Sequence, residues 1–339
     1  MFNILKATSQ NDNKSALDNL RNIVAEELSA VDKKIYNLVK STVSLIPQIS
    51  EHTISSGGKR LRPILTLACA KMCEYKGNAH IDLATSVEFI HTATLLHDDV
   101  VDKSDMRRGS YTANNLWGNK ESILVGDFLL GKAFELMGAA SSVEVYKVLS
   151  EAAVIISEGE VKQLSLTGKL NISENDYFDV IKSKTAKLFS AACEISGVIS
   201  DVKEEEKIAL REYGMNLGMA FQIIDDLLDY STQTAKLGKN IGSDFKENKI
   251  TLPIILAYKS ANKPERLFWE KTFSKNRSNT KEDFKIALNI LESGNFLKET
   301  MNIASNIINK AEQNISIFKD SIIKNTLLNL LPFVINRKY

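Results

Sequence analysis

Almost the whole of this chain is written with the period of an α-helix. Apolar residues recur three and four apart, no run keeps up the alternation of a half-buried strand, and only five prolines and 16 glycines interrupt 339 residues. Such a chain hides its apolar faces by packing helix on helix, so the fold class is all-α. The pattern predicts helices over roughly 15–31, 32–55, 61–75, 80–103, 120–139, 142–168, 173–199, 203–231, 250–260, 281–294 and 296–336, the last of them broken. Gly57-Gly58, Gly77-Asn78, Gly109-Ser110 and the stretch from Gly238 to Ser243 mark short connections. Short connections favour one compact bundle over two linked domains, so residues 1–339 are read as a single domain. Residues 260–283, rich in Lys, Asn and Ser, read as a solvated connector or a weak helix.

Composition removes several classes of function. Lys plus Arg number 43 and Asp plus Glu 42, a formal net charge of +1. Binding to a nucleic-acid backbone normally needs a basic excess, so nucleic acid is not expected as a partner. Cys69, Cys73 and Cys193 have no histidines spaced for zinc and no paired framework, which fits core packing in a reducing compartment. No run of about 18 to 20 apolar residues is present, and residues 1–14 lack the pattern of a signal peptide. The expectation is a cytoplasmic chain whose contact with a membrane is at most transient.

Two acidic motifs interrupt this helical text. Asp98-Asp99-Val100-Val101-Asp102 follows the apolar run from Phe89 to Leu96, and Asp225-Asp226-Leu227-Leu228-Asp229 follows Met219 to Ile224. Both read Asp-Asp-x-x-Asp, so helical geometry would gather three carboxylates within one turn. Like charges set so close repel and call for a cation. Magnesium binds through one or two carboxylates together with substrate phosphates, so two facing clusters would make a clamp for a diphosphate.

Basic residues stand near both motifs. In Gly57-Gly58-Lys59-Arg60-Leu61-Arg62-Pro63 two glycines let backbone approach an anion and three cations follow. Pro63 would open a helix whose N-terminus also favours anions; a solvated charged turn is the plainer reading. His91 lies two helical turns before Asp98, where it is either a satisfied core histidine or part of a phosphate or metal shell. Arg107-Arg108 follow closely and offer planar forks suited to phosphate oxygens. In the second half, Lys184-Thr185, Gln222, Lys239, Asp244 and Lys249 are each ordinary alone, but together they repeat the pairing of carboxylates with cations.

The ordered set GGKRLRP, LLHDDVVDKSDMRRG, GDFLLGKAF, EGEVKQL, KTAKLF, FQIIDDLLDY and GSDFKENKITLP resembles the trans-isoprenyl (polyprenyl) diphosphate synthase family over about residues 50–255, and most resembles its octaprenyl and decaprenyl members. The helical part 256–339 carries the resemblance only as pattern. The resemblance implies the isoprenoid synthase fold, a helical bundle around a large central cavity, usually a homodimer, with the two motifs facing each other. It implies a magnesium-dependent prenyltransferase, with three ions per site, that joins isopentenyl diphosphate head to tail to an allylic diphosphate such as farnesyl or geranylgeranyl diphosphate. On this basis Asp98, Asp102 and Asp225 bind metal, with Asp99, Asp226 and Asp229 beside them. Lys59, Arg62, His91 and Arg108 take the diphosphate of isopentenyl diphosphate. Arg107, Lys184, Thr185, Gln222, Lys239 and Lys249 face the allylic diphosphate, and Lys184 serves catalysis. Arg337-Lys338 would fold over the site.

Product length follows from the helix entering the first motif. Short-chain members of the family carry a bulky aromatic four or five residues before the first aspartate; here those positions are Thr94 and Ala93, with Ile90 and Phe89 deeper. The floor is therefore open and a long-chain product is expected, octaprenyl-like and destined for a quinone side chain, with Phe134 or Met137 as a stop further along. A geranylgeranyl-type synthase and a regulatory subunit of a heteromeric synthase are the alternatives. A terpene cyclase is disfavoured by the complete second motif, and a helical scaffold would leave six carboxylates in buried helices unexplained.

Overall fold

The computed structural model describes residues 10–230, 242–274 and 279–337. Among these, helices account for nearly everything. The chain opens with α1 (Gln10–Ile23), α2 (Ala25–Leu38), α3 (Leu45–Ser55) and α4 (Leu61–Met72), which lead to the long α5 (Ala79–Val101). In α5, Leu83 to Ile90 are buried without a break, so this stretch is enclosed on all sides, and the one charge within it, Glu88, is paired with Arg60. Two short strands, β1 (Met106–Arg107) and β2 (Ser110–Tyr111), form the one hairpin among the described residues. The helical period gives no sign of it. Its two turn residues, Arg108 and Gly109, both have positive φ, as a two-residue hairpin turn requires.

Short α6 (Ala113–Trp117) then leads into α7 (Asn119–Ala139), which packs extensively on α5. After α8 (Val143–Leu166) and α9 (Glu174–Ile181), a π-helical turn (Lys182–Ala186) runs straight into α10 (Lys187–Ile199). The second long helix, α11 (Glu204–Leu228), packs on α10 and carries the second motif at its C-terminal end. The remainder is α12 (Ser243–Lys246), α13 (Leu252–Ser260), α14 (Lys263–Thr272), α15 (Lys281–Ser293), α16 (Phe296–Asn314) and α17 (Ile322–Ile335). The first and last helices pack together, and one hydrophobic cluster runs from Ala16 to Val334.

Two glycines set the closest approaches. A Cβ on Gly159 of α8 would lie 2.7 Å from Ser183 Cβ and 2.9 Å from the Lys184 nitrogen. A Cβ on Gly218 of α11 would lie 2.7 Å from Ala186 Cα. Both glycines thus let neighbouring helices close on the π-turn that carries Lys184 and Thr185.

The structure departs from the sequence reading in three places. The predicted helix over 32–55 is two helices, with a break at 39–44. Residues 260–283, read as a solvated connector or a weak helix, contain the firmly anchored α14, started by a reciprocal Asn262–Glu265 capping box and holding fully buried Trp269. Each acidic motif ends its helix instead of lying within it, because Asp102 and Asp229 are the C-cap residues. No helix among the described residues is long and apolar enough to cross a membrane.

Candidate active site

The first motif is pre-empted by basic side chains. Asp98 lies 3.7 Å from Lys184 Nζ, which also donates to Glu160 Oε2 at 2.7 Å. Burial and the neighbouring Asp98 push Glu160 up to about 7, while burial, opposed by Lys184, raises Asp98 as well. Asp99 points the other way and is buried, with Arg107 Nε and Nη2 each 2.9 Å from its Oδ1. Asp102 Oδ2 accepts from Lys249 Nζ at 3.0 Å, and Lys249 also pairs with Glu247 at 2.7 Å. Burial works against the ammonium of Lys249, but these carboxylates outweigh it and raise its pKa.

The second motif divides its labour. Asp225 is 41% exposed and meets Arg337 Nη2 at 3.1 Å. Asp226 is buried: Tyr177 Oη donates to its Oδ2 at 2.6 Å and Gln222 Nε2 to its Oδ1 at 2.7 Å. Burial lifts its carboxyl to about 7 against the pull of those two donors. Asp229 serves the loop beyond: the backbone amides of Gly242, Ser243 and Asp244 donate to it at 3.0 to 3.1 Å, as does the Ser243 hydroxyl. The expectation of three carboxylates turned to one face is therefore corrected. One aspartate of this motif faces outward, and the other two fix its position.

Beside the first motif lies a concentrated positive site. His91 is held neutral, well below the usual histidine range, by burial and then by Arg62, Arg108, Arg107 and Arg60. Arg62 stacks on Phe189, its Cζ 4.3 Å from the ring centre, and its Nε is buried without a hydrogen-bond partner. Burial lowers its guanidinium to about 10. Arg108 Nη1 donates to the Gly57 carbonyl, tying the hairpin turn to the glycine loop. Arg60 is instead a structural cation, paired with buried Glu88 at 2.5 Å and with Asp32 at 3.6 Å. Lys59 stacks on Phe333 of α17, and its carbonyl accepts from Arg21 of α1 at 3.0 Å.

The predicted residues thus gather as two acidic helix ends and one cationic nest. Thr185 Oγ1 donates to Gln222 Oε1 at 2.8 Å, joining the π-turn to α11. Lys239 and Lys338 lie outside the described residues. Ile90 and Ala93 are buried in the core under the motif, and Thr94 turns its hydroxyl to the His91 carbonyl. Of the two residues expected to stop the chain, Met137 is buried and Phe134 is 36% exposed, in a groove between α7 and α8 shared with Tyr146, Val154 and Val161. The sequence reading missed Glu160 and Tyr177. Glu160 was visible only as part of EGEVKQL, and Tyr177 carries no local signal.

The donors near the motifs are carboxylate oxygens, which suit a hard divalent ion. Among the described residues no three such side chains converge into a finished cluster, because Lys184, Lys249 and Arg337 sit on the aspartates. The crowded carboxylates raised by burial are the groups a divalent ion would relieve, so the residues fit one once these cations turn aside to an anion.

A family model described as polyprenyl synthetase matches residues 43–291. The octaprenyl diphosphate synthase of Escherichia coli (strain K12) is 48% identical over 241 residues, 71% of this chain and 75% of that one. Among solved structures, a decaprenyl diphosphate synthase from Rhodobacter capsulatus superposes with a TM-score of 0.90 at 42% identity, covering 94% of this chain and 98% of its own. A polyprenyl synthase from Caulobacter crescentus CB15, complexed with calcium and isoprenyl diphosphate, superposes with a TM-score of 0.92 at 40% identity over 99% of this chain and 100% of its own.

Proposed function

Given that this chain belongs to the polyprenyl synthetase family, we propose that it joins isopentenyl diphosphate units head to tail to an allylic diphosphate, making a long-chain all-trans polyprenyl diphosphate. One observation carries this reading: His91, Arg62 with its buried, unpartnered Nε, and Arg108 tied to the Gly57 carbonyl gather beside two acidic helix ends. Arg60 and Arg107 are compensated by Glu88 and Asp99, so the positive charge of Arg62 and Arg108 is what suits a diphosphate, and the acidic helix ends suit a divalent ion beside a second diphosphate. The Caulobacter relative holds a divalent ion and an isoprenyl diphosphate, which supports both halves of the assignment.

In this mechanism Arg62, Arg108 and Lys59 bind the diphosphate of isopentenyl diphosphate, and His91 donates one ring N–H to it. The allylic diphosphate lies between the motifs, against Lys184 and Lys249. Arg107 reaches it with Nη1, the nitrogen not engaged by Asp99. Magnesium, held by Asp98, Asp102 and Asp225, would supply Lewis-acid stabilisation of the leaving diphosphate. As the allylic carbon–oxygen bond breaks, the ammonium groups of Lys184 and Lys249 meet the charge that develops on the leaving oxygens. The double bond of isopentenyl diphosphate attacks the allylic carbon, and a proton leaves to an oxygen of the released diphosphate. Apolar walls keep water from the cation, whose hydrolysis is the competing reaction.

Small, buried Ala93 and half-buried Thr94 beneath Asp98 support a deep product channel, as does the likeness to octaprenyl and decaprenyl synthases. The product is read as octaprenyl-like and destined for a quinone side chain, and the enzyme as a cytoplasmic homodimer. The open apolar groove of about 790 Å³ between α7 and α8 supports pairing at that face. Incubation with farnesyl diphosphate, excess isopentenyl diphosphate and magnesium is the test. A ladder ending at eight or more isoprene units is expected. An end at four would replace the long-chain reading by the geranylgeranyl one, and no elongation would refute the activity.

A further inference from the structure

Asp226 is the least accessible carboxylate of the second motif, and its surroundings are specific. Tyr177 of α9 donates to Oδ2 at 2.6 Å, Gln222 of α11 donates to Oδ1 at 2.7 Å, and Thr185 of the π-turn donates to Gln222 at 2.8 Å. Tyr177 and Asp226 are 5% and 6% exposed. The chain Tyr177–Asp226–Gln222–Thr185 thus crosses three elements and ends beside Lys184.

We propose that Tyr177 is a positioning residue for the allylic diphosphate site, its hydroxyl fixing Asp226 as a buried anchor that aims both Asp225 and the π-turn. The inference rests on the prenyltransferase reading above. Its physical basis is helical geometry. Neighbouring residues of a helix point about 100° apart, so a shift of the helix end that carries Asp226 toward water also turns Asp225 away from the site. A carboxylate oxygen deprived of its donor has every reason to turn, because an unsatisfied buried charge is costly. The short O–H to carboxylate contact is of the strong, charge-assisted kind. Removing it loosens the end of α11 and, through Gln222, the seat of Thr185 and Lys184. The cationic nest around His91 hangs on α4, α5 and the hairpin and is not part of this chain of bonds.

The test compares Tyr177→Phe with Tyr213→Phe. Tyr213 is an equally buried tyrosine whose hydroxyl donates to the Leu327 carbonyl at 3.0 Å, away from the network. Tyr177→Phe is expected to raise KM for the allylic diphosphate and the half-saturating magnesium concentration about tenfold, the low end of what a lost hydrogen bond to a charged group costs. KM for isopentenyl diphosphate is expected to stay within about twofold of the parent. Calorimetric titration with inorganic diphosphate and magnesium, which needs no turnover, is expected to show the same tenfold loss. Tyr213→Phe should lose thermal stability but keep these values. Unchanged binding in Tyr177→Phe, or equal losses in both variants, would overturn the proposal. If Tyr177→Phe does not fold, isosteric Thr185→Val cuts the chain at its other end; it is expected to weaken the same two values, and unchanged values would overturn the proposal. A parent enzyme that does not elongate isopentenyl diphosphate would instead sink the reading on which the inference rests.

Discussion

Arg62 places a charge in the core that the empty protein does not need. Burial draws its guanidinium from the ordinary arginine range down to about 10. At pH 7 the residue is protonated both folded and unfolded, so the full penalty falls on the fold, about 3 kcal/mol at about 1.4 kcal/mol per pKa step. Stacking on Phe189 at 4.3 Å returns about 0.5 to 2 kcal/mol of it. Arg62→Met, which keeps the length of the side chain and drops the charge, should therefore stabilise the ligand-free protein by about 1 to 2 kcal/mol, a rise of a few degrees in Tm. Binding should move the other way. A diphosphate left without its buried partner loses about 3 kcal/mol or more, so KM for isopentenyl diphosphate should rise at least about a hundredfold. The assay is thermal unfolding with and without inorganic diphosphate, set beside steady-state kinetics. In the parent the ligand should raise Tm, and in the variant this gain should largely vanish. A variant with lower Tm and unchanged KM would refute the reasoning, since Arg62 would then be a structural cation like Arg60.

Three further outcomes are expected. Asp98→Ala should lower turnover by orders of magnitude while leaving the circular dichroism spectrum unchanged, and near-normal turnover would remove the first motif from catalysis. Glu160 has a folded value of about 7, above its unfolded 4.5, so it favours the fold at low pH and that contribution is lost as pH rises from about 4.5 through 7. In the absence of divalent ions, Glu160→Gln should flatten the fall of unfolding free energy over that window by about one proton, and an unchanged slope would assign the effect to other carboxyls. Ala93→Tyr, five residues before Asp98 on the buried face of α5, should shorten the product, as chain-length analysis would show; an unchanged product spectrum would place the channel elsewhere.

What was legible in the sequence was whatever local spacing decides. The helical period yields the bundle and puts each Asp-Asp-x-x-Asp on a helix, although not the fact that each motif ends its helix. Roles set by distant partners were not legible. Asp226 is tied to Tyr177, 49 residues away, and Asp229 to the loop at 242–244, so the same three-letter motif hides one outward carboxylate and two anchors. Arg107 reads as a phosphate fork, yet most of its guanidinium holds Asp99, because the hairpin turn at Arg108-Gly109 folds it back on α5. The surroundings of Phe134 were not legible either, because periodicity does not say which face of α7 is covered. The structure leaves that face open in the single chain. The polar composition of residues 260–283 left connector and weak helix both open, and the capping box at Asn262 with buried Trp269 explains why α14 forms.

The proposed arrangement has Asp98, Asp102 and Asp225 holding the divalent ions that bind the allylic diphosphate, while Asp226 and Asp229 hold the scaffold. Its most direct test is a crystal structure with manganese and a non-cleavable thiodiphosphate analogue of farnesyl diphosphate, with the ions located by anomalous scattering. Ions on Asp98, Asp102 and Asp225, Lys184 and Lys249 turned to the diphosphate, and Tyr177 still bonded to Asp226 are the expected result. Ions ligated by Asp226 or Asp229, or a diphosphate bound away from both motifs, would contradict it.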